Sequence, residues 1–469
     1  MNKNEKKHFY FIAIGGVGMS GLALFLLENG HKVSGSDIAE SKYLKNLKEK
    51  GAEVYIGHDK SHIKENMIIV ASSAVRADNP EIIRAEELNL KIYHRSDILK
   101  YISDEYHSRE NSVFIGFSGT HGKTTTSGLC SYILEKGQLK PSYVVGGIIP
   151  EINTNGKYNG DNFFIAELDE SDGTIEKYST DIAVINNIEE DHLDHYKNGL
   201  KDILSTFNKY LSNNPGQKVI INADNSGTIK LMNDYPEYNY ITFGINNGDY
   251  MAKNIKFDNL SSKFDVYFKN SFVCEIKLSV PGKHNIYNAL AVISAIIEAE
   301  EDINNFAVFF KSFSGMGRRF QQVGKIANIT IYDDYAHHPS EIKTTLDSVK
   351  ESSGKKRITA IFQPHRYTRL KGFWNEFKKA FDSADKVFVT DVYPAGEEEI
   401  EGINSSNFTK ELNSEKFEYI KGDIETSAKQ ISAKLKNGDI VITLGAGNIT
   451  KMGSCLIKAM EFDKSDRNI

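Results

Sequence analysis

Short apolar runs alternate with segments of helical period along most of this chain. Phe9 to Ile14 is unbroken by polar residues, and Gly15 to Gly21 follows it. Leu22 to Glu28 is again apolar, and Asn29-Gly30 closes it. A short apolar run bounded by glycines predicts a buried strand, and the stretch after it a helix. The rhythm continues with strand His31 to Asp37, helix Lys42 to Lys50, strands Glu53 to Ile56 and Met67 to Ala71, helix Pro80 to Leu88 and strand Lys91 to Tyr93. Strands alternating with helices in this way predict a parallel, doubly wound sheet. The polar stretch Ser103 to Asn111 reads as a linker.

Val113 to Phe117 opens a second α/β segment. It has strands Asn162 to Leu168, Ile182 to Ile188 and Lys218 to Asn222, and a helix around Leu200 to Leu211. Tyr240 to Leu278 has the pattern of β-hairpins, and His284 to Glu300 that of an Ala-rich helix. Beyond Gly315-Met316-Gly317-Arg318-Arg319 a third segment brings strands Ile329 to Asp333, Arg357 to Gln363, Lys386 to Thr390 and Asp439 to Leu444. A chain of 469 residues exceeds what one hydrophobic core supports. The predicted fold class is α/β, as three consecutive α/β domains at residues 1–108, 109–316 and 317–469.

Composition narrows the function classes. The 57 basic and 63 acidic residues give a net charge of −6, which supports neither a nucleic-acid footprint nor an anionic membrane surface. The charged start, the glycine-cut apolar run after it and the lack of a long apolar segment predict a cytoplasmic chain without a membrane partner. Cys130, Cys274 and Cys455 are widely spaced, forming no disulfide framework and no metal pair.

Gly119-Thr120-His121-Gly122-Lys123-Thr124-Thr125-Thr126, after the apolar run ending at Phe117, has the features of a phosphate cradle. Backbone N–H groups face phosphates, Lys123 adds a mobile positive charge, and the Thr124 hydroxyl suits Mg²⁺. The loop is shorter than the usual form, because Phe117 stands where the first glycine belongs. That spacing argues against an ordinary GTPase or motor ATPase. An earlier loop satisfies G-x-G-x-x-G through Gly16, Gly18 and Gly21, with Asp37 placed as a ribose-binding acid. Alone this pattern also fits an NAD-dependent dehydrogenase, although a helix N-terminus welcomes the diphosphate of a nucleotide sugar equally well.

Further candidates cluster after predicted strands, where an open parallel sheet forms its ligand crevice. Glu167 ends one strand and can hold Mg²⁺, whereas Asp169, Glu170 and Asp172 read as a solvated acidic loop. Asp191-His192-Leu193-Asp194-His195 leaves His192 open between metal ligand, zinc included, and structural histidine. His284, Asn285 and Asn288 open a helix and could meet a base or ribose, Asn285 also being a capping residue. In the third segment Asp333 to Pro339, Pro364 to Arg369, Asp391 to Glu397 and Gly445 to Ile449 converge on one sheet edge. Arg318, Arg319, Arg366 and Arg369 could clamp phosphates or a carboxylate.

Taken together, Gly119 to Thr125, Asn187-Ile188-Glu189 with Asp191 to Asp194, and Gly282 to Asn288 resemble the Mur ligases, ATP-dependent amide-bond-forming enzymes of peptidoglycan synthesis. Gly15 to Ala23, Arg318 to Gln321, Asp333 to Pro339, Pro364 to Arg369 and Asp391 to Glu397 resemble the members that join L-alanine to UDP-N-acetylmuramate. The resemblance implies a Rossmann-like first domain holding the UDP-sugar through Gly16, Gly18, Met19, Ser20, Asp37, Ser72, Ser73 and Ala74. It implies a P-loop central domain binding ATP through Gly119, Thr120, His121, Gly122, Lys123, Thr124 and Thr125, with His284, Asn285 and Asn288 near adenine. Mg²⁺ would be held by Thr124, Glu167 and His192. A Rossmann-like C-terminal domain would bring Arg319, Asp333, His337 and Arg366 to the nucleotide and host the alanine. His192 and His337 are the candidate bases for its amine. Rival readings are a ligase for a recycled tripeptide on the same nucleotide sugar, the dehydrogenase, and a non-catalytic nucleotide switch.

Overall fold

The computed structural model describes residues 6–465 apart from Ser73, Glu110, Asp161 and Asp194. The chain divides into two compact units. Met1–Asn254, Phe264–Ile276 and Ile286–Phe313 form the first; Ile255–Lys263, Lys277–Asn285 and Ser314–Ile469 form the second.

The first sheet runs, in spatial order, Glu53–Ile56, Lys32–Asp37, His8–Ile12, Met67–Ala71, Ile92–His94. Every pairing in it is parallel. Strand order reverses on either side of His8–Ile12, so the topological switch point lies at that strand's carboxyl end, where the glycine loop begins. The helix after the loop, Val17–Glu28, is apolar all round, and Met19 to Leu26 are buried without a break. One side of it covers its own sheet. The other meets strand Thr154–Lys157 at Gly21 and Gly156, where a Cβ on Gly156 would stand 2.0 Å from the Gly21 carbonyl oxygen. Asn155 Nδ2 seals the contact by donating to Val17 O at 2.7 Å and Ser20 Oγ at 3.1 Å.

The expected linker at Ser103 to Asn111 is instead mostly helix, Arg95–His107. Its many polar residues hide an apolar stripe, Ile98, Leu99, Ile102 and Tyr106, all buried in the core shared with the first sheet. His94 and Asp97 close its N-terminus as a capping box.

The ten-stranded second sheet runs Ser271–Leu278, Ser261–Phe268, Tyr250–Asp258, Tyr240–Gly244, Lys218–Asn222, Ile182–Ile185, Val113–Ser118, Phe163–Glu167, Ser142–Ile149, Thr154–Lys157. Tyr240–Gly244, expected as part of a hairpin, extends the parallel sheet beside Lys218–Asn222. Val113–Ser118 lies between Ile182–Ile185 and Phe163–Glu167, which gathers the three carboxyl ends that matter chemically.

The third sheet runs Gln321–Ile326, Ile329–Asp334, Ile440–Leu444, Ile358–Phe362, Lys386–Val389, Phe417–Tyr419. It is parallel except for the antiparallel edge Gln321–Ile326. Both outer strands escaped the sequence pattern, Phe417–Tyr419 being short and Gln321–Ile326 mostly polar. Among the described residues no helix is long and apolar enough to cross a membrane.

Candidate functional site

The phosphate-loop motif is held from the side by the next strand. Gly119 has φ +122° and Gly122 φ +84°, conformations that side chains disfavour. A Cβ on Gly119 would lie 2.7 Å from Asn187 O, and one on Gly122 2.8 Å from Asn288 Oδ1. Asn187 grips the loop tip: its Oδ1 accepts from His121 N at 2.7 Å, its Nδ2 donates to His121 O at 3.0 Å, and its carbonyl accepts from Thr120 N. Below, Thr126 Oγ1 donates to Asn288 Oδ1 at 3.1 Å and accepts from Asn186 Nδ2 at 2.7 Å. The helix Lys123–Lys136 makes its first return bond from Thr126 N to Gly122 O. The preceding amides, through Thr124 and Thr125, therefore have no acceptor within the helix.

The Lys123 side chain is only 12% exposed, and its ammonium meets Glu170 Oε1 and Oε2 at 3.0 and 2.9 Å and Gly119 O at 2.8 Å. Burial works against its charge, but Glu170 and Asp169 outweigh it and raise the pKa. Glu170 is thus not solvated as expected, its side chain being 2% exposed. Asp169 is half-buried and pairs with Arg95 at 3.2 Å. Glu167 Oε1 accepts from Thr124 Oγ1 at 3.1 Å, and Oε2 from Gly146 N at 2.8 Å. Burial raises the Glu167 pKa against the opposing pull of Lys123 and Thr124. A desolvated carboxylate beside a threonine hydroxyl is the hard-oxygen donor chemistry that suits Mg²⁺. His192 is half-exposed at φ +53°, with Nε2 3.7 Å from Asp191 Oδ2. Among the described residues no three His, Cys, Asp or Glu side chains gather to hold a metal. Asp194 lies outside the described residues.

Within the same unit, a cavity of about 560 Å³ opens along the glycine loop. It is lined by Gly16, Gly18, Met19, Asp37, Ser72 and Ala74 on one side, and by Gly146, Glu167 and Asp169 on the other. Ser73 lies outside the described residues. Ser20 does not line the cavity: the turn of the helix points it inward, where it is fully buried against Asn155. Asp37 accepts from Gly15 N at 2.8 Å and so fixes the loop as well as facing the cavity. Arg95 was not anticipated. It lines the cavity, and its Nη1 would lie 3.1 Å from a Cβ on Gly18, placing a guanidinium against the loop that suits a diphosphate. Its position directly after strand Ile92–His94 is the signal that could have found it.

The second unit gathers the other candidates. His337 donates from Nδ1 to Tyr335 O at 3.0 Å, which leaves Nε2 as the basic nitrogen, and burial lowers its pKa. His365 lies 6.0 Å from it between ring centroids and accepts from Arg369 Nη1 at 2.9 Å. Burial and then Arg369 push the His365 pKa down to about 4. Arg318 and Arg319 lie 4.8 and 5.3 Å over the Tyr335 ring. Asp333 is buried and accepts from Thr443 and Thr450 hydroxyls at 2.7 and 2.8 Å. Arg366 is exposed with φ +70°, a strained backbone of the kind that clusters at functional sites. His284 Nδ1 lies 3.2 Å from Ser348 Oγ, and Asn285 Nδ2 donates to Pro281 O.

Three family models match in chain order: "Mur ligase family, catalytic domain" at residues 8–107, "Mur ligase middle domain" at 117–296, and "Mur ligase, glutamate ligase domain" at 318–447. A UDP-N-acetylmuramate–L-alanine ligase of Geotalea daltonii is 37% identical over 97% of this chain and 98% of its own. One of Clostridium botulinum is 39% identical over 97% of this chain and 98% of its own. Among solved structures, a UDP-N-acetylmuramate–alanine ligase of Thermotoga maritima has a TM-score of 0.82 at 29% identity, covering 98% of this chain and all of that one. A murein peptide ligase of Psychrobacter arcticus shares the fold at a TM-score of 0.67 and 21% identity, covering 97% and 98%. With matched segments in order and relatives aligned from end to end, the chain belongs to the Mur ligase family.

Proposed function

We propose that this protein is the ATP-dependent ligase that joins L-alanine to the lactyl carboxylate of UDP-N-acetylmuramate, with release of ADP and phosphate. The observation that carries the reading is the cavity whose one wall is the glycine loop and whose other wall ends at Glu167 and Asp169, beside Lys123. A nucleotide sugar with its diphosphate on Gly16 and Gly18 has room to extend its acid end toward a triphosphate on Lys123. A dehydrogenase has no use for a phosphate-loop lysine at that end.

In this reading the lactyl carboxylate attacks the γ-phosphate, the bond to ADP breaks, and an acyl phosphate forms. Lys123 and the amides at the start of its helix offset charge on the transferring phosphoryl group. Thr124 and Glu167, joined by His192, would hold Mg²⁺, which when bound neutralises phosphate charge. The amine of L-alanine then attacks the acyl carbon and phosphate leaves. His337 Nε2 is suited to take the ammonium proton, and Arg366 and Arg369 to hold the amino acid's carboxylate.

Phosphate release should require UDP-N-acetylmuramate, ATP and L-alanine together. Glycine, serine and the intact tripeptide serve as competing acceptors, and preference for the tripeptide would sink the reading. Arg95→Ala should weaken UDP-sugar binding about tenfold while leaving ATP affinity unchanged. Calorimetric titration of each ligand separately checks it. His192→Ala should raise the Mg²⁺ concentration needed for half-maximal rate roughly tenfold. An unchanged requirement would make His192 a structural residue only.

A further inference from the structure

Protein oxygens fill the hydrogen-bonding capacity of the Lys123 ammonium. An ammonium has three N–H bonds to give. Here the neighbours of Nζ are both oxygens of Glu170 at 3.0 and 2.9 Å, Gly119 O at 2.8 Å and Thr120 O at 3.4 Å. The carboxylate that holds it is itself anchored. Glu170 is buried, its carbonyl accepts from the Tyr196 hydroxyl and from Gly173 N, and a second carboxylate, Asp169, stands 3.9 Å from the same ammonium. Asp169 is balanced separately by Arg95, so Glu170 depends on Lys123 for its counter-charge. A buried carboxylate deprived of its partner is costly, so the lysine leaves only for a stronger anion.

We propose that Glu170 is a positioning residue for Lys123, holding the ammonium in a withdrawn place from which the terminal phosphates of the nucleotide must draw it. The proposal rests on the reading of Lys123 as the phosphate-binding lysine. In it, Glu170 and the phosphates compete for one cation. ATP, with the additional charge of its γ-phosphate, wins that competition more easily than ADP. After transfer, the return of Lys123 to Glu170 loosens the ADP left behind. The same carboxylate therefore lowers nucleotide affinity and speeds product release.

Glu170→Gln keeps the shape and removes the charge. It should tighten ATP and ADP by about tenfold, the worth of one charge-assisted hydrogen bond. It should also lower kcat, because ADP leaves more slowly. Both dissociation constants are read by titration calorimetry on the full chain, and kcat and KM for ATP by phosphate release. Weakened or unchanged nucleotide binding overturns the proposal, since a carboxylate that merely braces the loop would loosen binding when removed. Glu170→Asp, with charge kept but drawn back by one methylene, should give a smaller tightening. It decides the matter if the Gln variant does not fold, and no tightening in it overturns the proposal equally. Wild-type protein that binds no ATP would instead refute the reading of the phosphate loop.

Discussion

Lys123→Ala should reduce turnover by about a thousandfold or more while UDP-sugar affinity stays close to that of the wild type. The reasoning starts from what the lysine touches. Its close contacts are the loop carbonyls and Glu170, with Asp169 farther off at 3.9 Å, and it does not itself line the cavity along the glycine loop. Phosphoryl transfer offers a protein little covalent work, so positioning and charge compensation carry most of the rate. On the proposed reading, removing this cation from the γ-phosphate removes stabilisation needed most in the transition state. Single-turnover formation of ADP reports the chemical step, and UDP-sugar titration reports the other site. Equal loss in both would contradict the separation of the two loops.

Gly156→Val should destabilise the first unit by about 3 kcal/mol or more, lowering its unfolding temperature by roughly 10 °C. Gly156 and Gly21 bring two backbones together with no room for a side chain: a Cβ on Gly156 would also lie 2.7 Å from Gly21 C and 2.8 Å from its Cα. Neither atom is a flexible side-chain end that could swing aside. The helix Val17–Glu28 would have to lift, and with it Met19, Leu22 and their neighbours in the shared core. Gly372→Ala is the control, because a Cβ there would meet nothing within 4 Å and the change should be close to neutral. A thermal melt of both variants is sufficient, and an unshifted Gly156→Val would mean that the contact yields cheaply.

The strand-end rule explains both what could be read in advance and what could not. It located Glu167 because Phe163–Glu167 is a buried apolar strand, and it located the glycine loop because His8–Ile12 is another. The same rule applies to Arg95, yet strand Ile92–His94 is short and only half-buried, and the helix after it is rich in charge. Composition there concealed periodicity. Ser20 shows the opposite case: the family resemblance implied it, and the rotation of the helix turns its side chain toward Asn155. Glu170 lies in an acidic run that any one-dimensional reading assigns to solvent. Only the fold places a buried ammonium opposite it.

The grip of Asn187 on the loop tip carries a consequence for the entropy of nucleotide capture. A phosphate loop that closes around its ligand must surrender backbone freedom at the moment of binding. In this chain Asn187, just beyond the neighbouring strand, supplies a side chain that bonds both the N–H and the C=O of His121, while its backbone takes up Thr120. The abbreviated loop is therefore braced by bonds from within the protein itself. What it lacks in length is made up by a residue just beyond a different strand, Ile182–Ile185, so less of the loop's ordering is left to be done on binding.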